Sequence, residues 1–91
     1  MSAGLRIDVP ESAGLDAALA LQSALAGAAG PVTLVAGGAR SLSTPYVLTI
    51  CAALRDANGP AIAVEGAGPG FMDAFSDLGL FGDLMKMEFP G

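Results

Sequence analysis

The chain has 91 residues, 53% of them apolar, with four Lys plus Arg against nine Asp plus Glu, no His and one Cys. Its cations (Arg6, Arg40, Arg55 and Lys86) are scattered, which argues against a nucleic-acid partner and against attraction to an anionic membrane. Without His, and with Cys51 alone, zinc sites, Ser-His-Asp hydrolysis, Cys-His catalysis and an internal disulfide fall away, so no catalytic residue, metal ligand or cofactor is expected.

The length fits a single small domain over residues 1–91 with one shallow core. No apolar run approaches the roughly 18 residues of a spanning helix, so no membrane insertion is expected. The first residues lack a basic segment leading into an apolar run, and a cytoplasmic location is the default expectation.

Leu5-Arg6-Ile7-Asp8-Val9 alternates apolar and polar side chains, predicting a strand with one exposed face that ends at Pro10. An Ala/Leu-rich helix is predicted from Ser12 to Ala26, with Leu15, Ala18, Leu19, Gln22 and Leu25 near helical spacing. Ser12 would cap it, Asp16 would sit favourably in its early turns, and Gly27 and Gly30 would end it. Pro31 opens a buried strand running to about Ala36, broken by Gly37-Gly38.

A second helix starts near Pro45, because proline suits the first helical position. Its apolar set is Val47, Ile50, Cys51 and Leu54, and Asn58-Gly59-Pro60 stops it. Ala61 to Val64 is a third strand and Gly66 to Gly70 a loop. Phe71, Ala74, Phe75 and Leu78 mark a third helix ending at Gly79, after which Leu80-Phe81 packs back. Met85-Lys86-Met87-Glu88-Phe89 alternates as a short final strand. Strands alternating with helices predict an α/β fold, a mostly parallel or mixed sheet of about four strands with three helices.

The segment Ser41-Leu42-Ser43-Thr44-Pro45-Tyr46 carries the chemistry that remains. It joins a strand to a helix, and backbone N–H groups at a helix start lack partners and face the positive end of the dipole, so a phosphate is favoured there. Hydroxyl residues are also the standard helix caps, worth roughly 0.5–2 kcal/mol against Ala, and with Pro45 at the first helical position Thr44 is the natural cap. Capping and regulation can coexist at one turn.

Other features have plainer readings. Gly66-Ala67-Gly68-Pro69-Gly70 lies between a strand and a helix, but too little chain follows for a dinucleotide-binding unit, and Pro69 interrupts the spacing. It is read as a flexible turn. Asp73, Asp77 and Asp83 are read as a solvated acidic face, open to a basic partner. Cys51 is read as a small buried hydrophobe. Met72, Met85, Met87, Phe71, Phe75, Phe81 and Phe89 crowd the C-terminal third, as core or as a contact patch.

From about Leu5 to Phe89 the chain resembles the STAS domain, the fold of bacterial anti-sigma-factor antagonists and of the sulfate-transporter C-terminal domain. The resemblance rests on ordered pieces: the apolar strand from Val32 to Ala36, the turn Arg40-Ser41-Leu42-Ser43-Thr44-Pro45, an Ala/Leu-rich helix, Gly59-Pro60 leading into the strand from Ala61 to Val64, then Pro69 and a short helix with Phe71, Phe75 and Leu78. Leu78-Gly79-Leu80-Phe81 is similar to the family's recurring Leu-Gly-Leu ending.

In regulated family members the turn reads Asp-Ser-Ser-Gly or Asp-Thr-Ala-Gly, and a partner serine kinase phosphorylates the first hydroxyl residue after the Asp. The resemblance puts Thr44 at the phosphoacceptor position and Ser43 where the Asp would be; a shift of one residue makes Ser43 the acceptor. Ser41, Leu42, Pro45 and Tyr46 then belong to the partner-binding surface. The motif Asp is missing, Pro45 and Tyr46 replace small residues, and the family's first edge strand has no counterpart before Leu5. The Leu-Ser-Thr-Pro turn is similar to that of small STAS proteins associated with bacterial chemotaxis and histidine-kinase systems.

The resemblance implies a non-enzymatic binding module. It would dock on a partner serine/threonine kinase of the anti-sigma-factor type, or on a histidine-kinase signalling protein, and be switched by phosphorylation. A constitutive STAS subunit of a lipid-transport ABC system is the alternative, with Ser43 and Thr44 acting only as caps. The oligomeric state is not legible.

Overall fold

The computed structural model describes residues 4–28, 30–56 and 59–89. In chain order the elements are β1 (Leu5–Asp8), β2 (Ser12–Ala13), α1 (Leu15–Ala26), β3 (Val32–Val35), β4 (Ser41–Leu42), α2 (Thr44–Arg55), β5 (Ile62–Glu65), α3 (Pro69–Asp77) and α4 (Phe81–Leu84). The α/β class and the parallel pairing follow the sequence expectation, with four helices among the described residues instead of three.

β1, β3 and β5 form a parallel sheet in that order, with Ile7 beside Leu34 and Leu34 beside Val64. The expected final strand is reduced to one parallel bridge, Glu88 to Ala63, closed by Val64 N–H to the Glu88 carbonyl at 2.7 Å and Glu88 N–H to the Ile62 carbonyl at 3.1 Å. Met85 instead ends the short helix α4, which the alternating pattern did not suggest.

The two faces of the sheet differ. Val32, Leu34, Ile62 and Val64 are fully buried under the helices, and each stabilises the fold by about 1.5–3 kcal/mol at most. Arg6, Asp8, Thr33, Val35, Ala63 and Glu65 line the opposite face and are exposed or half-buried. Parallel sheets usually have both faces covered; here the strand alternation that suggested one wet face holds across three strands.

Helix α1 buries Ala18, Leu21 and Leu25. Leu15 is 61% and Leu19 54% exposed, so the apolar set drawn from the sequence is rotated from the real one. Ser12 is no cap: it belongs to β2, and Gly14 takes the N-cap position. Helix α2 buries Tyr46, Val47, Ile50 and Cys51, with Leu54 half-buried; it ends at Arg55, and Asn58 lies outside the described residues.

Helix α3 buries Phe71 and Phe75, whose rings stack tilted with centroids 5.4 Å apart. Its expected apolar residue Leu78 is instead exposed. The helix closes where Gly79, at φ +71, lets Leu80 N–H reach the Phe75 carbonyl at 2.8 Å and Gly79 N–H the Ser76 carbonyl at 3.0 Å. That turn sends the chain into α4, which buries Leu84 and leaves Phe81 55% exposed. The Met/Phe cluster therefore divides: Phe71, Phe75 and Met87 are core, while Phe81, Met85 and Phe89 face solvent.

Candidate functional site

Two short strands set the geometry of the site. β2 pairs in parallel with β4, Ser12 beside Ser41 and Ala13 beside Leu42. Arg40 and Ser41 N–H groups both donate to the Glu11 carbonyl at 2.9 and 3.1 Å, and Ser43 N–H donates to the Ala13 carbonyl at 2.8 Å. Each short strand leads directly into a helix, so α1 and α2 begin side by side and pack along their lengths. The start of α3 joins them: a Cβ on Gly70 would collide with the Arg40 carbonyl, so only glycine permits this approach of α3 to the β4 segment. The three helix starts meet beyond the carboxyl ends of the sheet strands, where open parallel sheets gather their loops.

Ser43 and Thr44 are held differently. Ser43 is the N-cap, with extended backbone and its Oγ accepting the Tyr46 N–H at 3.4 Å. Thr44 is the first residue of the helix, one position later than its sequence assignment as cap, and Pro45 follows it. Among the described residues the Thr44 hydroxyl has no hydrogen-bond partner, and the residue is exposed. Thr49 Oγ1 donates back to the Pro45 carbonyl at 2.8 Å, within the same first turns.

The remaining turn residues separate by exposure. Ser41 and Pro45 are exposed and Leu42 half-buried. Tyr46 is 1% exposed, which corrects its place on the partner-binding surface: its ring is core, one turn before Ile50 on the buried stripe, and burial pushes its phenol pKa up. Leu48, one turn after Thr44 and half exposed, takes its place on the outer face. Leu15 and Leu19 add exposed apolar surface on the adjoining helix. A groove of about 460 Å³ follows the α1–α2 seam, lined by Gln22, Leu25, Leu48, Thr49 and Ala52 among others.

Asp83, read from sequence as part of a solvated acidic face, is buried and paired instead. Arg55 Nη2 donates to its Oδ2 at 2.7 Å and Nε to its Oδ1 at 3.2 Å, with Lys86 Nζ 3.6 Å away. The hydrogen bonds from Arg55 hold the Asp83 carboxyl below the usual range. Asp73 and Asp77 do remain exposed. Cys51 is buried, and desolvation, then the charge of Asp83, pushes its thiol pKa up, away from reactive thiolate chemistry. Across the open sheet face Arg6 clasps Glu65 with two hydrogen bonds, at 3.0 and 2.8 Å, which lower the Glu65 pKa. Among the described residues no group of three or more His, Cys, Asp or Glu side chains could hold a metal ion, and no helix is long and apolar enough to cross a membrane.

No protein-family model, curated protein or solved structure matches the chain. Sequence reasoning missed Leu48, Gly70 and the β2–β4 pair. Leu48 is signalled by its i+4 spacing from Thr44, and Gly70, which the sequence suggests is part of a flexible turn, lies in the first turn of α3. A pair of two-residue strands leaves no periodic trace.

Proposed function

We propose that the chain is a STAS-like regulatory binding module of the cytoplasm, not an enzyme. It docks on a partner protein kinase or signalling protein through the turn at Ser41, Leu42 and Pro45 and the outer face of α2, with Thr44 as the switched hydroxyl. The observation that carries this reading is the division of labour between adjacent hydroxyls: Ser43 is engaged as the cap, while Thr44 stands exposed and unengaged at the helix start. A phosphate there would add roughly −1.5 to −2 charges. It would meet the positive end of the α2 dipole, so the fold tolerates it. It would also place that charge one turn from Leu48, in the apolar surface a partner would cover, and desolvating it there opposes docking.

The constitutive alternative, a STAS subunit of a lipid-transport ABC system, draws on the Ser43 cap, which gives one of the two hydroxyls a structural job. The two readings separate in cells of the source organism. The chain is recovered with its bound proteins, phosphate is mapped by mass spectrometry, and wild type is compared with Thr44→Ala. The regulatory reading expects phosphate on Thr44 and a partner complex that Thr44→Ala stabilises against ATP. Phosphate confined to residues outside 41–44, or a complex with an ABC ATPase that is indifferent to ATP and to the substitution, overturns it.

A further inference from the structure

The free edge of the sheet is self-complementary, and we infer that it pairs with the same edge of a second copy of this chain. β1 ends the sheet order. Leu5 N–H donates to the Pro31 carbonyl at 3.0 Å and Val9 N–H to the Val35 carbonyl at 2.9 Å, so Leu5, Ile7 and Val9 spend their backbone groups on β3. By strand alternation Arg6 and Asp8 point theirs outward, and no other described strand pairs with that side of β1.

An antiparallel partner that is a rotated copy of β1 places Ile7 opposite Ile7, Leu5 opposite Val9, and Arg6 opposite Asp8 twice. Arg6 and Asp8 are the residues whose backbone groups are free, so both pairs become hydrogen-bonded pairs, each exchanging two N–H to carbonyl bonds. Their side chains lie on the open face, where each arginine exchanges its exposed clasp on Glu65 for the partner's aspartate, one solvent-exposed ion pair for another. On the helix side the pairing covers Leu5, which is 40% exposed, and half-buried Ile7.

Competing registers fail. A shift of two residues along the partner sets Arg6 against Arg6 or Asp8 against Asp8, and like charges directly opposite destabilise a sheet. A shift of one puts the apolar side chains on the open face. Charged residues on an edge strand normally deter pairing. Here the alternation of sign singles out one register, about a two-fold axis that closes the assembly at two chains.

The test is light scattering coupled to gel filtration on the full 91-residue chain over a concentration series. Wild type is expected to rise from the mass of one chain toward two. Asp8→Arg faces Arg6 with a like charge and is expected to weaken association by roughly tenfold or more. Arg6→Asp does the same with acids while also ending the clasp on Glu65 within its own chain, and equimolar mixing of the two variants, which the loss of that clasp alone would not rescue, is expected to restore a heterodimer that neither forms alone. Circular dichroism checks each fold; if either variant unfolds, Asp8→Asn, which removes the attraction without adding a like charge, replaces the pair and is expected to weaken the dimer less than severalfold but measurably. Hydrogen exchange on wild type reads the edge directly, with the Arg6 and Asp8 amides slowing as the dimer forms. A wild-type chain that stays single at every concentration, a dimer indifferent to these variants, or Arg6 and Asp8 amides already protected in the single chain would each overturn the inference.

Discussion

Exchanging Ser43 and Thr44 separately for alanine tests the geometry on which the site depends. Ser43→Ala removes the oxygen that accepts the Tyr46 N–H. Loss of a hydroxyl cap costs roughly 0.5–2 kcal/mol. The bond is 3.4 Å, longer than the usual N–H to oxygen distance. The expected loss therefore falls in the lower half of that range, about 0.5–1 kcal/mol. For a chain of this size such a loss lowers Tm by about 2–8 °C. Thr44→Ala removes an exposed side chain that holds nothing, at a position already inside the helix. Alanine is the better helix former by a few tenths of a kcal/mol, so the change should be within about 0.5 kcal/mol of neutral. Urea and thermal unfolding followed by far-ultraviolet circular dichroism would rank the variants. If Thr44→Ala lost more stability than Ser43→Ala, the cap would belong to Thr44. Its hydroxyl would not then be free, and the division of labour would be wrong.

Gly70→Ala forces a methyl against the Arg40 carbonyl, which is backbone and cannot swing away. A loss of about 1–3 kcal/mol in chemical denaturation is expected, and an unchanged midpoint would mean that α3 does not approach the β4 segment so closely. The Arg55–Asp83 pair gives a pH signature. Because Asp83 titrates lower in the folded chain than in the unfolded one, its contribution is present above the ordinary aspartate pKa of about 3.9 and is lost as pH falls through the lowered folded value. The stability gap between wild type and Asp83→Asn should therefore be wide at neutral pH and narrow at about pH 3. A gap of equal width at both would assign Asp83 a role independent of its charge.

How far the sequence exposes this architecture depends on how local each signal is. β1, β3, β5, α2 and α3 announce themselves by short-range periodicity, and each is present in the expected chain order, with the unforeseen β2 and β4 inserted before α1 and α2. α1 is legible as a helix but not in its orientation. Leu15, Leu19, Leu21 and Leu25 surround an Ala-rich helix, and no single stripe dominates until α2 and the sheet choose Leu21 and Leu25. Asp83 reads as a surface acid because its partner Arg55 lies 28 residues away. Ser12 reads as a cap because its true partner, Ser41, is equally invisible from nearby residues. Tyr46 is the instructive miss: its ring lies four residues before Ile50 and beside Val47, so the helical repeat already places it on the buried stripe. The resemblance to a surface motif drew it outward, although the turn and the helix face make opposite demands on that position.

The neighbouring hydroxyls differ because the backbone changes state between them. Ser43 has φ −70 and ψ 159, the extended geometry that turns a short side chain back over the first turn, toward the Tyr46 N–H. Thr44 is already helical and exposed, and among the described residues its hydroxyl makes no hydrogen bond. A negative group on Ser43 would have to displace the cap before it could form its own bonds. On Thr44 it would leave that bond intact and gain from the helix dipole, by roughly 0.3–1 kcal/mol for an exposed charge. A phosphate added to or removed from Thr44 would therefore leave the fold nearly unmoved, while the charge presented beside Leu48 would change sharply. A docking switch needs that combination, with its free energy spent at the interface and little of it on the domain that carries it.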